Sequence, residues 1–336
     1  METDAATAEL TLDDVLRARA VLADLLPPTP LWSYPALDAV AGATVFVKHE
    51  NVQPVGAFKV RGGLNLLAGL PEQQRARGLI TYSTGNHAQS IAYAGQRFGS
   101  RCVVVMPLGA NEAKVRSVQA LGGEVVLSGA DLEGAKQHAE ERALTEGLGL
   151  VSPGDEPALL AGVGSLYLEL FEAQPELDAV LVPVGAGTGA AAACLVAEQL
   201  APGCEVIAVQ SAASPAAHDS WHAGRLQRRP NRTRVEGLAT GRGFALTQNL
   251  LRGRLKDFVL VDDDRIAAAA RLLASHAHTL AEGAGAAALA AVLAEPGRFA
   301  GRRIAVVCTG GNASVAEITA MAAGFATDGL AADGLA

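Results

Sequence analysis

The 336-residue sequence has few cysteines and no excess of positive charge. Its four cysteines, Cys102, Cys194, Cys204 and Cys308, lack the close spacing of a metal site. Three of them lie within or beside apolar runs, where a free cysteine behaves as a small hydrophobic residue. We therefore expect no disulfide and a reducing compartment. The formal net charge of −8 disfavours nucleic acid and anionic membranes as partners.

The sequence also lacks a segment that would carry the chain into or across a membrane. Its first residues are acidic and show no basic-then-apolar signal. No apolar run is long enough to span a bilayer, so we expect a cytoplasmic protein. The one concentration of basic residues, the arginines between residues 225 and 234, is interpreted as a solvated loop.

Hydrophobic residues and glycine are plentiful. Half of the residues are hydrophobic and 37 are glycine, which is about 11% against an average of about 7%. A chain of this length forms two domains or one large α/β unit. Glycine-rich turns suit a protein that brings its backbone close to a ligand.

Apolar runs alternate with helical patterns along most of the chain. Strands are predicted at residues 44–48, 78–82, 102–106, 124–127, 179–184, 205–209 and 303–307. Helices are predicted from Thr11, from Phe58 and over residues 86–98, 111–121, 131–146, 157–173, 246–251, 263–276 and 284–293, with one more ending near residue 200. This alternation indicates an α/β fold with a parallel sheet covered on both faces.

Residues 49–63 form a loop that leads into a helix. Pro54 and Gly56 punctuate the loop, and Lys59 falls in the first turn of the helix. Because a helix N-terminus carries partial positive charge, Lys59 is predicted to have a lowered pKa and to suit Schiff-base chemistry. A solvated surface lysine is the alternative, and for such a segment taken alone it is the more frequent case.

This segment resembles the lysine segment of the threonine/serine dehydratases and serine racemases. These are pyridoxal-phosphate (PLP) enzymes of the tryptophan-synthase-β fold type, also called fold type II. The matching residues are Glu50, Asn51, Gln53, Gly56, Phe58, Lys59, Arg61 and Gly62, whereas Ala57 and Gly63 replace the serine and alanine of the family. The resemblance, with three further segments, covers residues 31 to 315. It implies two open, mostly parallel twisted sheets covered by helices, with Phe58 and Lys59 binding PLP and Lys59 holding it covalently.

The second matching segment joins a strand to a helix, and Asn86 is predicted to cap that helix. A capped helix start presents backbone N–H groups that suit a carboxylate, although a plain capped turn has the same pattern. The resemblance implies that Ser83, Thr84, Gly85 and His87 bind the substrate carboxylate and that Asn86 contacts the phenolic oxygen of PLP. Thr84 stands where the racemases have a serine that acts as a second acid/base.

The third segment is a turn after a strand, made of Gly185, Ala186, Gly187, Thr188 and Gly189. Backbone N–H groups and a helix start make such a turn suitable for a phosphate, although many α/β proteins have a similar turn. The resemblance assigns the PLP phosphate to it. The family has four consecutive glycines here, and Ala186 and Thr188 depart from that pattern without removing the backbone donors.

The fourth segment places Thr309 after the last strand, where the family has a hydroxyl residue at the pyridine nitrogen. A hydroxyl does not keep that nitrogen protonated, so Thr309 favours elimination over transamination. Glu282 lies in a lesser match to a segment that the family has near the cofactor, which would place it by the ring. An acid at a helix N-terminus is more commonly a complement to the helix dipole, and Glu282 is interpreted in that way. Thr240 replaces an aspartate of the dehydratases.

The resemblance also implies a domain organisation. It assigns residues 1–52 and 154–325 to a large PLP-binding domain and residues 53–153 to a small domain, and residues 326–336 are predicted to form a disordered tail. Residues 210–216 lack the acidic metal ligands of animal serine racemases, so no metal site is expected. We expect a homodimer or homotetramer.

The predicted activity is PLP-dependent elimination of water from L-threonine or L-serine, which gives 2-oxobutanoate or pyruvate and ammonia. Lys59 and Thr84 are the predicted catalytic residues. One alternative is an ammonia-lyase for another β-hydroxy amino acid, such as hydroxyaspartate, phenylserine or a hydroxyectoine-derived compound. A serine racemase is another. A binding protein without chemistry is disfavoured by the intact lysine segment.

Overall fold

The computed structural model describes the backbone of residues 10–332 and the side chains of residues 10–325. The strands in this part of the chain are β1 (Leu31–Ser33), β2 (Thr44–His49), β3 (Leu79–Tyr82), β4 (Cys102–Met106), β5 (Glu124–Leu127), β6 (Gly149–Val151), β7 (Ala179–Pro183), β8 (Glu205–Ser211), β9 (Asp257–Val261) and β10 (Arg303–Cys308).

Helices connect and cover these strands. They are α1 (Leu12–Leu22), α2 (Pro35–Ala41), α3 (Lys59–Gly69), α4 (Glu72–Arg77), α5 (Asn86–Phe98), α6 (Glu112–Ala120), α7 (Leu132–Glu146), α8 (Pro157–Ala173), α9 (Thr188–Leu200), α10 (Ala216–Ala223), α11 (Ala245–Leu251), α12 (Asp263–His276), α13 (Gly283–Ala294), α14 (Pro296–Phe299) and α15 (Val315–Ala332). Two short 3₁₀ turns lie at Glu50–Val52 and Glu236–Leu238.

The larger sheet has six strands in the order β1-β2-β10-β7-β8-β9. The β1 strand runs antiparallel to β2, and all other neighbours are parallel. Successive side chains of a strand point to opposite faces. Val180 and Val182 accordingly join the core formed with α8 and α9, whereas Ala179 and Leu181 join the core formed with α12 and α13. Burial on both faces explains why these strands are continuous apolar runs.

The smaller sheet has four parallel strands in the order β5-β4-β3-β6. Val103 and Val105 pack on one face with α7, and Val104 and Met106 pack on the other with α5. All four strands come from one continuous stretch between β2 and β7 of the larger sheet. The segment that forms the smaller sheet is therefore inserted between two parts of the chain that form the larger sheet, as the resemblance implies. The domain boundaries at residues 53 and 153 stay a prediction.

A buried cluster of charges fixes the helix that begins at Lys59. Arg61 is 1% exposed, and its guanidinium donates to Glu50 (Nε to Oε2, 2.8 Å) and to Glu169 (Nη1 to Oε1, 2.7 Å). Lys48 Nζ donates to Glu169 Oε2 at 2.6 Å. Buried charges destabilise a fold unless they are paired. The cluster therefore ties the start of α3 to β2 and to α8.

The strands that the sequence analysis missed are β1, β6 and β9. Each lies at the edge of its sheet, and β1 and β6 have only three residues. Three residues are too few for a periodic pattern to be recognised, but the edge position alone does not explain the omissions, because β5 is also an edge strand and was predicted. By contrast, β4, β5, α5, α8 and α12 have the predicted bounds.

The C-terminal segment differs from the prediction. A disordered tail was predicted from residue 326, but α15 continues to Ala332. Alanine has the strongest helix propensity of all residues, and it recurs through this segment. The remaining residues of the predicted tail, 333–336, lie outside the described residues.

Candidate active site

One cavity lies at the carboxyl ends of strands from both sheets. Ser83 follows β3, Gly185 lies just beyond β7, and Thr309 follows β10. Open α/β sheets bind their ligands at such strand ends. Every residue that the sequence analysis assigned to the site lines this cavity. These residues are Phe58, Lys59, Ser83, Thr84, Gly85, Asn86, His87, Gly185, Ala186, Gly187, Thr188, Gly189 and Thr309.

Lys59 is the first residue of α3, as the sequence predicted. Its Nζ donates to Thr188 Oγ1 at 2.5 Å and lies 5.0 Å from the centre of the Phe58 ring. Burial lowers the pKa of Lys59 from 10.5 to about 8. A substantial fraction of the amine is therefore neutral near neutral pH, which is the form that attacks a carbonyl carbon. The alternative of a solvated surface lysine does not describe this side chain.

The turn of residues 185–189 is packed too closely for larger residues at two positions. A Cβ at Gly185 would lie 2.3 Å from the carbonyl oxygen of Gly237. Gly187 has a φ of +91° and precedes α9 as its N-cap, a conformation that favours glycine. The first N–H groups of α9 have no partner within the helix. The turn therefore offers backbone donors to an anion at the cavity wall.

Asn86 does not cap α5 as predicted. Gly85 is the N-cap, and Asn86 is the first helical residue. The Asn86 side chain instead crosses the site, where its Nδ2 donates to Glu282 Oε1 at 2.6 Å. Its Oδ1 accepts from Asn312 Nδ2 at 2.8 Å. These bonds outweigh the capping tendency and hold the amide in a fixed orientation in the cavity.

His87 is buried and neutral. Burial, together with the charge of Lys59, lowers its pKa from 6.5 to about 3. Thr81 Oγ1 donates its single proton to the Val151 carbonyl oxygen (2.7 Å), so it accepts from His87 Nε2 (2.8 Å). His87 Nδ1 is then an acceptor, and this ring cannot bind a carboxylate. The group of His87 that could still contact the substrate carboxylate is its backbone N–H, which lies in the first turn of α5.

Thr309 joins the lysine segment to the end of β10. It is 4% exposed, and its carbonyl oxygen accepts from Phe58 N at 3.0 Å. The neighbouring residues Ala57 and Gly310 form an isolated antiparallel bridge. The backbone therefore fixes the Thr309 position relative to Lys59 on one side of the cavity.

Glu282 is the site residue whose importance sequence reasoning missed. It precedes α13 as the N-cap but makes no capping bond, and its carboxyl bonds Asn86 instead. Burial raises its pKa from 4.5 to about 7. The close packing of Gly310 is a second sign that the Glu282 carboxyl lies in the site, because a Cβ at Gly310 would lie 2.3 Å from Glu282 Oε1. The acid was visible in the sequence, but its contact with Asn86 was not.

Comparisons with known proteins now add to this geometry. Residues 22–310 match the profile of the family described as pyridoxal-phosphate dependent enzyme. The chain belongs to this family.

Two curated relatives and one solved structure show the similarity in detail. The chain is 34% identical to L-threonine ammonia-lyase of Thermotoga maritima, over 91% of this chain and 76% of the relative. It is 39% identical to the biosynthetic L-threonine dehydratase of Escherichia coli, of which it spans 59%. The structure of processed threonine deaminase isoform 2 from Solanum lycopersicum is similar with a TM-score of 0.87 and 30% identity, over 92% of this chain and 91% of that chain. The predicted fold, family, cofactor and assignment as a PLP-dependent lyase are confirmed.

Relatives with other names are almost as similar to this PLP enzyme. It is 33% identical to serine racemase of Schizosaccharomyces pombe, over 91% of this chain and 95% of the relative. It is also 33% identical to beta-hydroxyaspartate dehydratase of Paracoccus denitrificans, over 92% of this chain and 98% of the relative. Overall identity therefore does not select the substrate, and the cavity itself must be considered.

The cavity fits PLP on its own chemistry. Lys59 has a lowered pKa, which suits attachment to an aldehyde. The start of α9 presents backbone donors to a phosphate, and Asn86 and Thr309 offer polar side chains to the same cavity. The assignment of each residue to one part of the cofactor stays a prediction.

Two features are absent from the part of the chain that the structure describes. No three His, Cys, Asp or Glu side chains among them are grouped so that they would hold a metal ion. No helix among them is long and apolar enough to cross a membrane.

Proposed function

We propose that this PLP enzyme eliminates water from L-threonine or L-serine and releases ammonia with 2-oxobutanoate or pyruvate. The observation that carries the proposal is that Lys59 and Thr309 line one cavity, with a hydroxyl at the position predicted for the pyridine nitrogen. A carboxylate at that position would keep the nitrogen protonated and favour transamination. A hydroxyl favours rapid loss of a β-substituent instead.

The cofactor would be held at four points. Lys59 would bind it covalently, residues 185–189 would bind its phosphate, Asn86 would contact its phenolic oxygen, and Thr309 would contact its ring nitrogen. Phe58, whose ring lies beside Lys59, would flank it. When bound, PLP withdraws electrons from the substrate Cα, which makes the α-proton acidic and the β-hydroxyl a better leaving group.

Lys59 would move the proton. Its free Nζ, whose pKa is lowered by burial to about 8, would take the α-proton of the substrate. The hydrogen bond to Thr188 Oγ1 orients Nζ within the cavity. The β-hydroxyl would leave as water, with the α-proton that Lys59 takes as the balancing proton, and the released enamine would hydrolyse to the 2-oxo acid and ammonia.

The substrate α-carboxylate would bind at the start of α5. Ser83, Thr84 and Gly85 precede this helix, and the backbone N–H of His87 lies in its first turn. Donors at a helix start attract a carboxylate. Ser83 Oγ accepts from Gly85 N at 3.2 Å, which shapes the loop that would receive the carboxylate.

Serine racemisation is the second candidate, and the Thr84 hydroxyl supports it. Thr84 lines the cavity together with Lys59, so two proton-transfer groups are available. Chiral chromatography of serine left after incubation tests this. D-Serine formation that is lost in Thr84→Ala, with elimination retained, would support racemisation, whereas the absence of D-serine rules it out.

An absorbance spectrum of the purified protein with PLP is the first experiment. We expect a visible band of lysine-bound cofactor, followed by 2-oxo acid release when L-threonine or L-serine is added. Lys59→Ala should abolish both the band and the product. Lys256→Ala is the matched control, since that side chain is 60% exposed and pairs with Glu205 at the surface.

Each result bears on a different part of the proposal. Product formation retained by Lys59→Ala would refute the role of Lys59. A band in the wild-type protein without 2-oxo acid from either substrate would refute the proposed reaction and leave the cofactor assignment intact. The homodimer or homotetramer stays a prediction, which sedimentation analysis tests.

A further inference from the structure

The charges that line the cavity have a simple distribution. Among its described lining residues, Lys59 is the one lysine or arginine, and the proposed function commits it to the cofactor. Glu236 and Glu282 also line the cavity. His87 is neutral. The backbone donors at the start of α5 are assigned to the α-carboxylate. The described lining residues therefore hold no cationic side chain for a second carboxylate.

A second ammonium group lies just outside this lining. Lys114 is on α6, next to the smaller sheet, and its side chain is only 12% exposed. Its Nζ forms an ion pair with Glu236, 122 residues away in the sequence. Glu236 belongs to the 3₁₀ turn that precedes β9 of the larger sheet. The ion pair therefore connects elements of the two sheets at the cavity wall.

The electrostatic effect of this ion pair reaches the cavity. Burial raises the pKa of Glu282 most strongly, the charge of Lys114 lowers it, and the charge of Glu236 raises it again. The charges of Lys114 and Glu236 are thus close enough to affect the Glu282 carboxyl, which accepts a hydrogen bond from Asn86 in the cavity. Lys114 would attract an anionic substrate group, and Glu236 weakens that attraction.

The turn that carries Glu236 is fixed against the proposed phosphate-binding turn. Gly237 packs so closely on Gly185 that a Cβ at Gly185 would meet its carbonyl oxygen at 2.3 Å. Thr240 Oγ1 donates to the Gly185 carbonyl oxygen at 3.2 Å. The backbone of Glu236 therefore has a fixed position at the cavity wall, whereas its side chain is 43% exposed and is held there by the ion pair with Lys114.

We propose that Glu236 determines substrate specificity: by neutralising Lys114 it makes the site select β-hydroxy amino acids with an uncharged side chain and reject those with a second carboxylate. This inference rests on the proposed function. Like-charge contact in a partly buried site opposes binding, and an ammonium already paired offers little to a second anion. Hydroxyaspartate is the rejected class, and threonine and serine belong to the accepted one.

The test measures binding without turnover. L-Aspartate and L-2-aminobutyrate differ in the charge of the side chain, and neither has a β-hydroxyl to eliminate. Each is titrated into PLP-bound protein, and the change in the visible spectrum gives a dissociation constant. For the wild-type protein we expect L-aspartate to bind at least about tenfold more weakly than L-2-aminobutyrate, which corresponds to about 1.4 kcal/mol.

Two variants locate the effect at Glu236. Glu236→Gln should tighten L-aspartate binding at least about tenfold and change L-2-aminobutyrate binding by less than about threefold, because Lys114 is then free to pair with the added carboxylate. The double variant Glu236→Gln, Lys114→Met should lose that gain. Glu133→Gln is the matched control. Glu133, on α7 beside the smaller sheet, also forms an ion pair with a distant residue, Arg228, but it does not line the cavity.

The outcomes separate this inference from the proposed function. The specificity role is overturned if the ratio of the L-aspartate to the L-2-aminobutyrate dissociation constant in Glu236→Gln stays within about twofold of the wild-type ratio. It is also overturned if Glu133→Gln tightens L-aspartate binding as much as Glu236→Gln does. Binding as expected without 2-oxo acid from L-threonine or L-serine refutes the proposed reaction and leaves the specificity role standing. If neither amino acid binds, the assignment of this cavity as the substrate site is wrong and both proposals fall.

Discussion

Glu282→Gln should make the stability of the protein less sensitive to pH. Glu282 is 5% exposed, and burial raises its pKa to about 7. A buried carboxylate is costly when charged, so the wild-type protein loses stability as this group deprotonates. Glutamine has the same shape, keeps an oxygen that can accept from Asn86 Nδ2, and never acquires the charge.

The magnitude follows from the two pKa values of Glu282. The carboxyl has a pKa of about 7 in the folded protein and 4.5 as its ordinary value. Between these values the folded state binds more protons than the unfolded state, so the free energy of unfolding falls as pH rises. At 1.36 kcal/mol per pKa unit, the total is about 3 kcal/mol, most of which is lost between about pH 5 and pH 8.

Urea unfolding of the cofactor-free protein at about pH 5 and pH 8 measures this effect. Relative to the wild-type protein, Glu282→Gln should gain about 2–3 kcal/mol between the two pH values. Other titrating groups are common to both proteins and cancel in the difference. Glu112→Gln is the control, since its side chain is 90% exposed, and it should show no such change. A pH-independent difference for Glu282→Gln would refute the reasoning.

Three further predictions test the packing and the lysine. Gly185→Ala should weaken PLP binding in equilibrium dialysis and lower the Tm, since the new Cβ would collide with a carbonyl oxygen at 2.3 Å; Gly203→Ala, with open space around it, should change neither, and equal effects would contradict this account. Arg61→Met should lower the free energy of unfolding in urea by about 3–5 kcal/mol, because it leaves the buried carboxylate of Glu50 and the partly buried carboxylate of Glu169 without their guanidinium. A loss below about 1 kcal/mol would be inconsistent with a stabilising role. The rate at which added PLP attaches to Lys59 should rise with pH and level off above a pKa of about 8 in stopped-flow absorbance, whereas an increase that continues to 10.5 would mean that burial does not perturb the amine.

The central part of the fold was predictable because burial on both faces is recorded in the sequence. Central parallel strands such as β4 (Cys102–Met106) are uninterrupted apolar runs between helical patterns. The N-terminus of α1 shows a local signal of another kind, since Thr11 and Asp14 form a capping box at the predicted start of the helix. The strands β1 and β6 were missed because three residues are too few for a periodic pattern to be recognised.

The site segments were predictable for a related reason. Lys59, the turn at residues 185–189 and Thr309 each lie where a loop meets a regular element, so their glycines and helix starts are local features of the chain. The family resemblance added the roles of these residues, and the structure brings all of them to one cavity. The assignment of Asn86 as a cap was wrong because its side chain finds partners on distant segments.

The sequence by itself determined the central strands and the helices between them, the position of Lys59 and the turn for an anion, since each depends on neighbouring residues. Only the tertiary structure decided which distant groups meet. Asn86 and Glu282 are 196 residues apart and share a hydrogen bond, and Lys114 and Glu236 are 122 residues apart and form an ion pair. A pKa depends on burial and on nearby charges from any part of the chain, so the pKa of about 7 at Glu282 arises from packing that no local pattern records.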